Sequence, residues 1–176
     1  MTIGETPLDL ALPVGDADHV RGAADAVTTL LVYGDFQCPY CALAARRMPA
    51  VLATGRVRLV FRHFPVSEVH GRAEATAVAA EAAGLQGRFW EMHDRLFAGQ
   101  DRAGDNDLVD HARVLGLDLD RFRAALADDG VLGRVRADRA GGERAGAHGT
   151  PTFFVDGRRC DGPWWPLLTR LTQHHA

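Results

Sequence analysis

The sequence predicts an α/β fold in which two sheet-forming segments are separated by a helical block. Three observations support this prediction: apolar runs of strand length lie near both ends of the chain, a helical periodicity fills the middle, and an Asp156-Gly157 turn joins the last two runs. An early βαβ unit and a late ββα unit together indicate one central mixed sheet.

The N-terminal unit begins with a short edge strand, predicted at residues 19–21, and a buried strand at 28–36. A helix is predicted over residues 39–54, because Pro39 suits the first helical turn, where a missing N–H costs little. Residues 57–61 are rich in β-branched and other apolar side chains around the single charged Arg58, and we predict a strand there. These elements form the βαβ unit.

The middle of the chain, from about residue 66 to 147, is predicted to be helical. The apolar positions that repeat at helical spacing are Phe89, Met92, Leu96 and Phe97, then Leu108, Ala112 and Leu115, then Leu119, Phe122 and Leu126. Asn106 and Asp118 are predicted helix starts, because their side chains can accept hydrogen bonds from the free N–H groups of a first turn.

The C-terminal unit returns to strand patterning. Residues 151–155 and 158–161 are predicted strands, because a two-residue Asp-Gly turn between two such runs is the strongest short hairpin signal. A proline at position 151 is compatible with the first residue of a strand. A final helix is predicted from about Trp164 to Gln173.

Composition and charge exclude several classes of protein. The chain of 176 residues is long enough for one self-supporting core, and no apolar run approaches the length of a membrane span. All 20 basic residues are arginine, they alternate with acids, and the net charge is −3. We therefore expect one soluble domain that has no basic patch for nucleic acid and is not stably inserted in a membrane.

The N-terminal residues bear on cellular location. Residues 1–22 lack a basic start followed by an apolar stretch, so they do not have the pattern of a signal peptide. We expect a cytoplasmic protein, or an extracytoplasmic one if this chain is a trimmed form. In a reducing cytosol, a pair of neighbouring thiols is more often catalytic than structural.

Cys38-Pro39-Tyr40-Cys41 is the most informative motif, because it lies between a predicted strand and a predicted helix. The free N–H groups and the macrodipole at a helix start favour a thiolate, and thiols in such settings have pKa values of about 3.5 to 7.5 instead of about 8.5. We expect Cys38 to be the attacking thiolate. Cys41, one turn further in and more buried, is expected to resolve the mixed disulfide.

Two other roles for this motif are less favoured. A structural zinc site needs four ligands, but the chain offers one further cysteine, Cys160, and no second C-x-x-C pair. A structural disulfide would close a very short loop and would restrict little chain entropy. Redox chemistry is therefore the favoured interpretation, and we expect neither a metal nor another cofactor.

A second motif, GTPTFFVDG at residues 149–157, lies far downstream of the dithiol. Together with YGDFQ before the dithiol, RHFP at 62–65 and RFWEMH at 88–93, it resembles the thioredoxin superfamily and specifically its DsbA-like thiol–disulfide oxidoreductases. The resemblance covers roughly residues 17 to 172. It implies that Pro151 is cis and lies against the dithiol, where the backbone of Thr150 pairs with a bound substrate peptide.

The resemblance also implies a thioredoxin fold, with βαβ and ββα halves around the central mixed sheet and an all-helical insertion between them. Such an insertion is absent from thioredoxin and glutaredoxin, so it favours the DsbA-like branch. On this basis the chain divides into an N-terminal extension (1–16), a thioredoxin-like domain (17–65 and 147–176) and a helical insertion (66–146).

Several residues near the dithiol are expected to modulate it. Tyr40 should project from the helix start, where it would influence thiol chemistry and contact a partner, and Pro39 shapes the same turn. Asp35 has two open interpretations: it tunes the pKa of Cys38 or relays a proton, or it is a local hydrogen-bonding group.

The sequence departs from the resembling family at the residue expected to accept the proton of the resolving thiol. Proteins of the resembling family commonly have a buried acid six residues before the first cysteine, which accepts the proton of the resolving thiol. In this sequence that position is Val32. The departure leaves water or Asp35 as the expected acceptor for Cys41.

For several other residues we favour a structural role over a functional one. His63 and His70 bracket a proline-containing loop, and capping or packing is favoured over metal binding. Cys160 is expected to be a small buried hydrophobe, with a mixed disulfide as the alternative if it is exposed. Three aromatic residues could line an apolar groove but are expected to be in the core: Phe36, Trp164 and Trp165.

The predicted activity is thiol–disulfide exchange, by a monomer, with protein thiols and disulfides or with low-molecular-weight thiols. Its direction stays open, because folds of this type span about −270 to −120 mV. One alternative is a glutathione-dependent transferase or isomerase on a DsbA-like scaffold, which the presence of both cysteines disfavours. The other is a non-enzymatic module that binds a partner or an iron–sulfur cluster through the dithiol.

Overall fold

The structure is a computed structural model, and it describes residues 13–173. The strands are β1 (His19–Gly22), β2 (Thr28–Gly34), β3 (Val57–His63), β4 (Thr152–Val155) and β5 (Arg158–Arg159). They form one sheet in the order β1-β3-β2-β4-β5, in which β2 and β3 are parallel and the other neighbours are antiparallel. The predicted mixed sheet is confirmed.

Eight helices accompany the sheet in the described part of the chain. They are α1 (Pro39–Ala45), α2 (Met48–Leu52), α3 (Ala73–Gly84), α4 (Phe89–Ala98), α5 (Asp105–Val114), α6 (Leu119–Leu126), α7 (Asp129–Arg144) and α8 (Trp164–Thr172). Five of them, α3 to α7, lie between β3 and β4, where the sequence predicts the helical insertion. Residues 1–12 of the predicted N-terminal extension lie outside the described residues. None of the helices within residues 13–173 has the length and apolar character needed to cross a membrane.

The helix predicted over residues 39–54 is two helices, and this part of the prediction was wrong. α1 ends at Ala45 and α2 begins at Met48. Pro49 explains the interruption, because it has no N–H to donate to the carbonyl four residues earlier and its ring clashes with that carbonyl. A proline inside an apolar helical pattern predicts a break in the helix, so Pro49 alone is sufficient to predict two helices.

Smaller differences concern where elements begin and end. β2 ends at Gly34 instead of residue 36, and β5 has two residues instead of four. α5 begins before Asn106, after Gly104, whose N–H donates to the carboxylate of Asp107 at 3.1 Å. The cap predicted at Asp118 is confirmed, since its carboxylate accepts from two first-turn N–H groups of α6 at 3.0 and 2.9 Å.

β2 is buried on both faces, which explains its continuous apolar run. Leu30 and Val32 belong to the larger core cluster, which also contains the dithiol and the apolar faces of the insertion helices. Leu31 and Tyr33 belong to a second cluster on the other face. α7 packs closely there because Gly142 has no side chain: a Cβ at this position would lie 2.9 Å from the Tyr33 ring. Because β2 is packed on both faces and leads into α1, the sheet fixes the position at which α1 begins.

Candidate active site

The dithiol lies where β2 leads into α1. Cys38 is the N-cap residue of α1, with φ −74° and ψ 120°, and Pro39 occupies the first helical turn, as predicted. Cys41 follows within that turn. Both residues are free thiols, and they are similarly buried, with 4% of Cys38 and 3% of Cys41 exposed. The expected difference in burial is therefore not seen at the level of whole residues.

The second motif meets the dithiol in space. The Thr150–Pro151 peptide bond is cis. Sγ of Cys38 lies 3.3 Å from the backbone oxygen of Thr150, across 112 residues of sequence. Pro151 lines a small cavity together with Cys41. The structure thus brings together four of the residues predicted to form the site.

The two thiols have opposite acidities. The hydrogen bond from Cys41 contributes most to lowering the pKa of Cys38 to about 5, and burial opposes it. The Thr150 side chain and the backbone N–H groups of Cys41 and Tyr40 lower this pKa further, and the last two are the helix-start groups expected from the sequence. Burial raises the pKa of Cys41 well above its usual value, and the hydrogen bond to Cys38 raises it more. At neutral pH Cys38 is a thiolate and Cys41 a thiol.

Asp35 fixes the loop before the dithiol. It is 1% exposed, and its Oδ1 accepts from the backbone N–H of Gln37 at 2.8 Å. Its Oδ2 accepts from the N–H of Val66 at 2.9 Å and lies 2.7 Å from Nδ1 of His70. Both carboxylate oxygens therefore hold backbone and loop groups, which corresponds to the local hydrogen-bonding interpretation. The contact also gives His70 a structural partner.

Gln100, which the sequence analysis did not single out, holds the same loop from the helical insertion. Its Nε2 donates to the backbone oxygens of Phe36 and Cys38 at 2.7 and 2.9 Å. From the same side, the backbone N–H of Arg72 donates to Oε1 of Gln37 at 2.6 Å. The insertion therefore positions the dithiol loop, although no short motif at these residues could have indicated it.

The surface beside the thiols is partly aromatic. Tyr40 is 62% exposed at the start of α1, as predicted. A groove of about 430 Å³ runs past Thr150 and is lined in part by Cys160 and Trp164. Cys160 is only half-buried, and burial raises its pKa. Two aromatic predictions had different outcomes: Phe36 is in the core, whereas Trp165 is exposed and lies under Arg47, with 3.1 Å from the guanidinium carbon to the ring centroid.

One cluster in the described part of the chain has the composition of a metal site, and it is separate from the dithiol. Nε2 of His19 and Nε2 of His63 lie 2.6 and 2.7 Å from Oε1 of Glu81, and the three ligand atoms are within 4.8 Å of one another. Burial alone would raise the pKa of Glu81, but hydrogen bonds from both histidines hold it below its usual value. The contacts already satisfy the carboxylate as a buried hydrogen-bonded group. His63 is therefore packed and is paired through Nε2, whereas its buried Nδ1 has no hydrogen-bond partner among residues 13–173.

Comparison with known proteins agrees with this geometry. A family model, the DSBA-like thioredoxin domain, matches residues 29–168. The chain belongs to this family. Among solved structures, a thioredoxin-like oxidoreductase from Silicibacter pomeroyi is similar, with a TM-score of 0.78, 26% identity, and coverage of 89% of this chain and 91% of that one.

Two other solved structures share the DsbA fold at lower identity. The thiol-disulfide exchange protein α-DsbA2 from Wolbachia pipientis has a TM-score of 0.76 at 16% identity and covers 89% of this chain and 87% of its own. BdbD from Bacillus subtilis has a TM-score of 0.74 at 18% identity, with 94% and 98% covered. These likenesses confirm the predicted thioredoxin-like DsbA fold.

Curated relatives in sequence carry a different name. A protein named Na(+)/H(+) antiporter NhaA 3 from Salinispora tropica is 48% identical over 159 residues, which are 89% of this chain and 24% of that protein. Na(+)/H(+) antiporter NhaA 1 from Salinispora arenicola is 47% identical over 164 residues, which are 92% and 25% of the two chains. The chain thus spans about a quarter of the length of these relatives.

Proposed function

We propose that this DsbA-like chain is a thiol–disulfide oxidoreductase that exchanges disulfides with protein or small-thiol substrates through Cys38 and Cys41. The observation that carries the proposal is the opposite acidity of the two thiols at the start of α1. A nucleophile that is ionised at neutral pH beside a protonated partner is what two-step exchange requires.

The exchange has two steps in each direction. In the reducing direction the Cys38 thiolate attacks a substrate disulfide, a mixed disulfide forms, and one substrate sulfur leaves as a thiolate. Cys41 then loses its proton and attacks the Cys38 sulfur, so that the second substrate sulfur leaves and the enzyme disulfide forms. In the oxidising direction a substrate thiolate attacks Cys38 of the enzyme disulfide and Cys41 leaves. Two electrons move between enzyme and substrate in either case.

The surface around Cys38 supports binding of an extended or flexible partner. Tyr40 is exposed next to the thiol, and Thr150 and Pro151 line the adjoining groove. We propose that these three residues contact the substrate on either side of its reacting sulfur. Pro39 and Asp35 would act indirectly, by fixing the turn and the loop that present Cys38.

The test is turnover of a disulfide-containing peptide by three proteins, all carrying Cys160→Ser, so that the parent retains only Cys38 and Cys41 and each variant retains one of them. The parent should exchange catalytically, Cys38→Ser should be inactive, and Cys41→Ser should accumulate a mixed disulfide through Cys38 that is visible by mass. Turnover that survives in Cys41→Ser with glutathione would instead support the single-thiol transferase or isomerase. Loss of exchange in the parent protein itself would refute the oxidoreductase.

A second candidate is a redox module that acts on a partner without catalytic turnover. The observation that favours it is the match to about a quarter of proteins named Na(+)/H(+) antiporters. On this proposal the dithiol changes state once and alters a contact with a transporter. The number of disulfides exchanged per chain separates the two: many exchanges support the enzyme, and one supports the module.

We also propose a cytoplasmic location and a monomeric state, both as expected from the sequence. Labelling with a thiol reagent that does not cross membranes tests the location, since Cys38 of a cytoplasmic protein is modified only after cell lysis. Labelling in intact cells would place the protein outside the cytoplasm. Light scattering during size-exclusion chromatography tests the monomer.

A further inference from the structure

The second half of the exchange requires a base. Cys41 must be deprotonated before it attacks the Cys38 sulfur, and burial raises its pKa well above the usual value. Val32 lies in the same part of the core and offers no proton acceptor. Both oxygens of the Asp35 carboxylate are held by Gln37, Val66 and His70. The acceptor must therefore come from elsewhere in the fold.

A small cavity beside Cys41 contains a candidate. It has a volume of about 20 Å³. About 10–15 Å³ is enough for one water molecule where at least two polar groups can bind it, and the lining residues offer two polar side chains, those of Cys41 and His93. Its lining is formed by Val32, Gly34, Cys41, Ala44, Ala45, Met48, Leu59, Phe61, His93, Phe97, Pro151 and Phe153. Among these described residues, His93 is the one titratable side chain besides Cys41.

The orientation of His93 leaves one ring nitrogen available. Nδ1 lies 2.8 Å from Oδ1 of Asp94, and that carboxylate also accepts from NH1 and NH2 of Arg21 at 3.1 and 2.9 Å. A carboxylate held ionised by arginine accepts the Nδ1–H, so the lone pair lies on Nε2. No residue from 13 to 173 forms a hydrogen bond with Nε2. The arrangement follows the same logic as an aspartate that orients a catalytic histidine.

His93 also connects the cavity to solvent. Besides the cavity it lines a groove of about 350 Å³, together with Arg21, Arg46 and Asp94. The side chain of Asp94 is 53% exposed. A proton that reaches His93 from the cavity therefore has a polar exit to the surface.

We infer that His93 is the proton acceptor for Cys41 through one water molecule in this cavity, and that Asp94 is a positioning residue that fixes the tautomer of His93. The inference rests on the proposed oxidoreductase function. In the reducing direction the Cys41 proton passes to Nε2 as the Cys41 sulfur attacks Cys38, and the imidazolium later releases it to solvent. In the oxidising direction the same proton returns to the leaving Cys41 thiolate.

The surroundings of His93 support this role. The charged and titratable groups that face it are Asp94 on α4, Arg21 on β1, His63 on β3, Arg46 after α1, and Cys41 across the cavity. Burial lowers the pKa of His93, and the hydrogen bond to Asp94 opposes that effect. The imidazole is therefore neutral at neutral pH and has the capacity to accept a proton.

The test follows the reaction of the reduced protein with dithio-bis-nitrobenzoate by stopped flow, in a Cys160→Ser background. Attack by Cys38 releases one nitrothiolate, and attack by Cys41 on the resulting mixed disulfide releases a second. In the parent protein the second phase should not depend on reagent concentration, because it is intramolecular. If this phase is absent or depends on reagent concentration, the proposed function itself fails.

Given that second phase, His93→Phe decides the inference. This variant keeps an aromatic ring among Phe36, Phe61 and Phe97 but has no base. At neutral pH its second phase should slow by about 10²-fold or more, which is the usual contribution of general base catalysis. The deficit should shrink as the pH rises, because hydroxide then deprotonates Cys41. The first phase should be unchanged.

Two further variants keep the inference falsifiable. Asp94→Asn changes a half-exposed side chain and should slow the same phase, with the same narrowing at high pH, even if His93→Phe does not fold. His111→Phe replaces a buried histidine on α5 and should leave the second phase unchanged. Two results would overturn proton transfer from Cys41 to His93. One is a second-phase rate that is unchanged in the variants of His93 and Asp94, and the other is a reduction of that rate by the same factor at every pH.

Discussion

Replacing Cys41 with alanine should raise the pKa of Cys38, because the hydrogen bond from Cys41 contributes most to stabilising the Cys38 thiolate. Serine at the same position is the matched control. It keeps a hydroxyl donor in place of the thiol, so its Cys38 pKa should stay close to the parent value. Both variants remove the resolving thiol, and therefore they differ only in the donor.

The magnitude follows from the groups around the sulfur. A pKa of about 5 lies roughly 3.5 units below that of an ordinary cysteine, which corresponds to about 5 kcal/mol. Three other hydrogen bonds share this stabilisation, from the Thr150 side chain and from the N–H groups of Tyr40 and Cys41, while burial opposes it. One hydrogen bond to a charged group contributes about 1.5–3 kcal/mol, or about 1–2 pKa units. Cys41→Ala should therefore titrate at about 6 to 7.

The assay is a pH titration of the ultraviolet absorbance of the thiolate. Cys160 does not interfere, because burial raises its pKa, and a Cys160→Ser background removes it altogether. Alanine and serine variants that titrated together near the parent value would show that the hydrogen bond from Cys41 does not set the pKa of Cys38. In that case the helix start and Thr150 alone would account for the acidity of Cys38.

Three further predictions follow from the same contacts. The reduction potential of the Cys38/Cys41 pair, measured in glutathione buffers, should lie between about −210 and −165 mV. The two limits scale the pKa of about 5 for Cys38 from thioredoxin (about −270 mV, pKa about 7) and from DsbA (about −120 mV, pKa about 3.5), by about 30 mV per pKa unit. A value outside that range would show that thiolate stabilisation does not dominate the potential. Gln100→Leu should lower the free energy of unfolding by about 1–3 kcal/mol, because two backbone carbonyls lose their donor, and urea titration against Gln173→Leu, at an exposed position, would detect it. Glu81→Gln should be destabilising at neutral pH, but the difference should shrink as the pH falls below about 4: a carboxyl whose folded-state pKa is lowered stabilises above its unfolded pKa and loses that contribution in acid. A constant difference across acid titration would contradict the role of the Glu81 hydrogen bonds.

The sequence was sufficient for the features that local patterns encode. The strand-to-helix position of Cys38 and the paired strands around Asp156-Gly157 follow from residue types at fixed spacing. Pro49, which lies where α1 gives way to α2, is also a local signal. The apolar pattern continues across it, however, and on its own predicts a single helix. The residues at which helices and strands begin or end depend on hydrogen bonds that several neighbouring residues can supply, as at Gly104. The sequence therefore predicts these boundaries less well than it predicts the elements themselves.

The groups that support the dithiol could not be predicted in this way. Gln100 reaches the backbone oxygen of Cys38 from 62 residues away, and Glu81 joins His19 across a separation of 62 residues as well. His93 lies within the RFWEMH motif, but its proposed role as a proton acceptor depends on the cavity beside Cys41. That cavity exists only because α1, α4 and the sheet pack together. Long-range contacts of this kind leave no periodicity or spacing in the chain.

The contact between Cys38 and Thr150 also has a consequence for synthesis. At translation rates of about 5 to 20 residues per second, the cysteines precede Thr150 by roughly 6 to 20 seconds. During that interval the chain carries two thiols without the side-chain hydrogen bond of Thr150 that lowers the pKa of Cys38, and Gln100 arrives only part-way through it. The acidic nucleophile is therefore a property of the finished molecule, and Cys38 of the nascent chain should be less reactive than Cys38 of the folded protein.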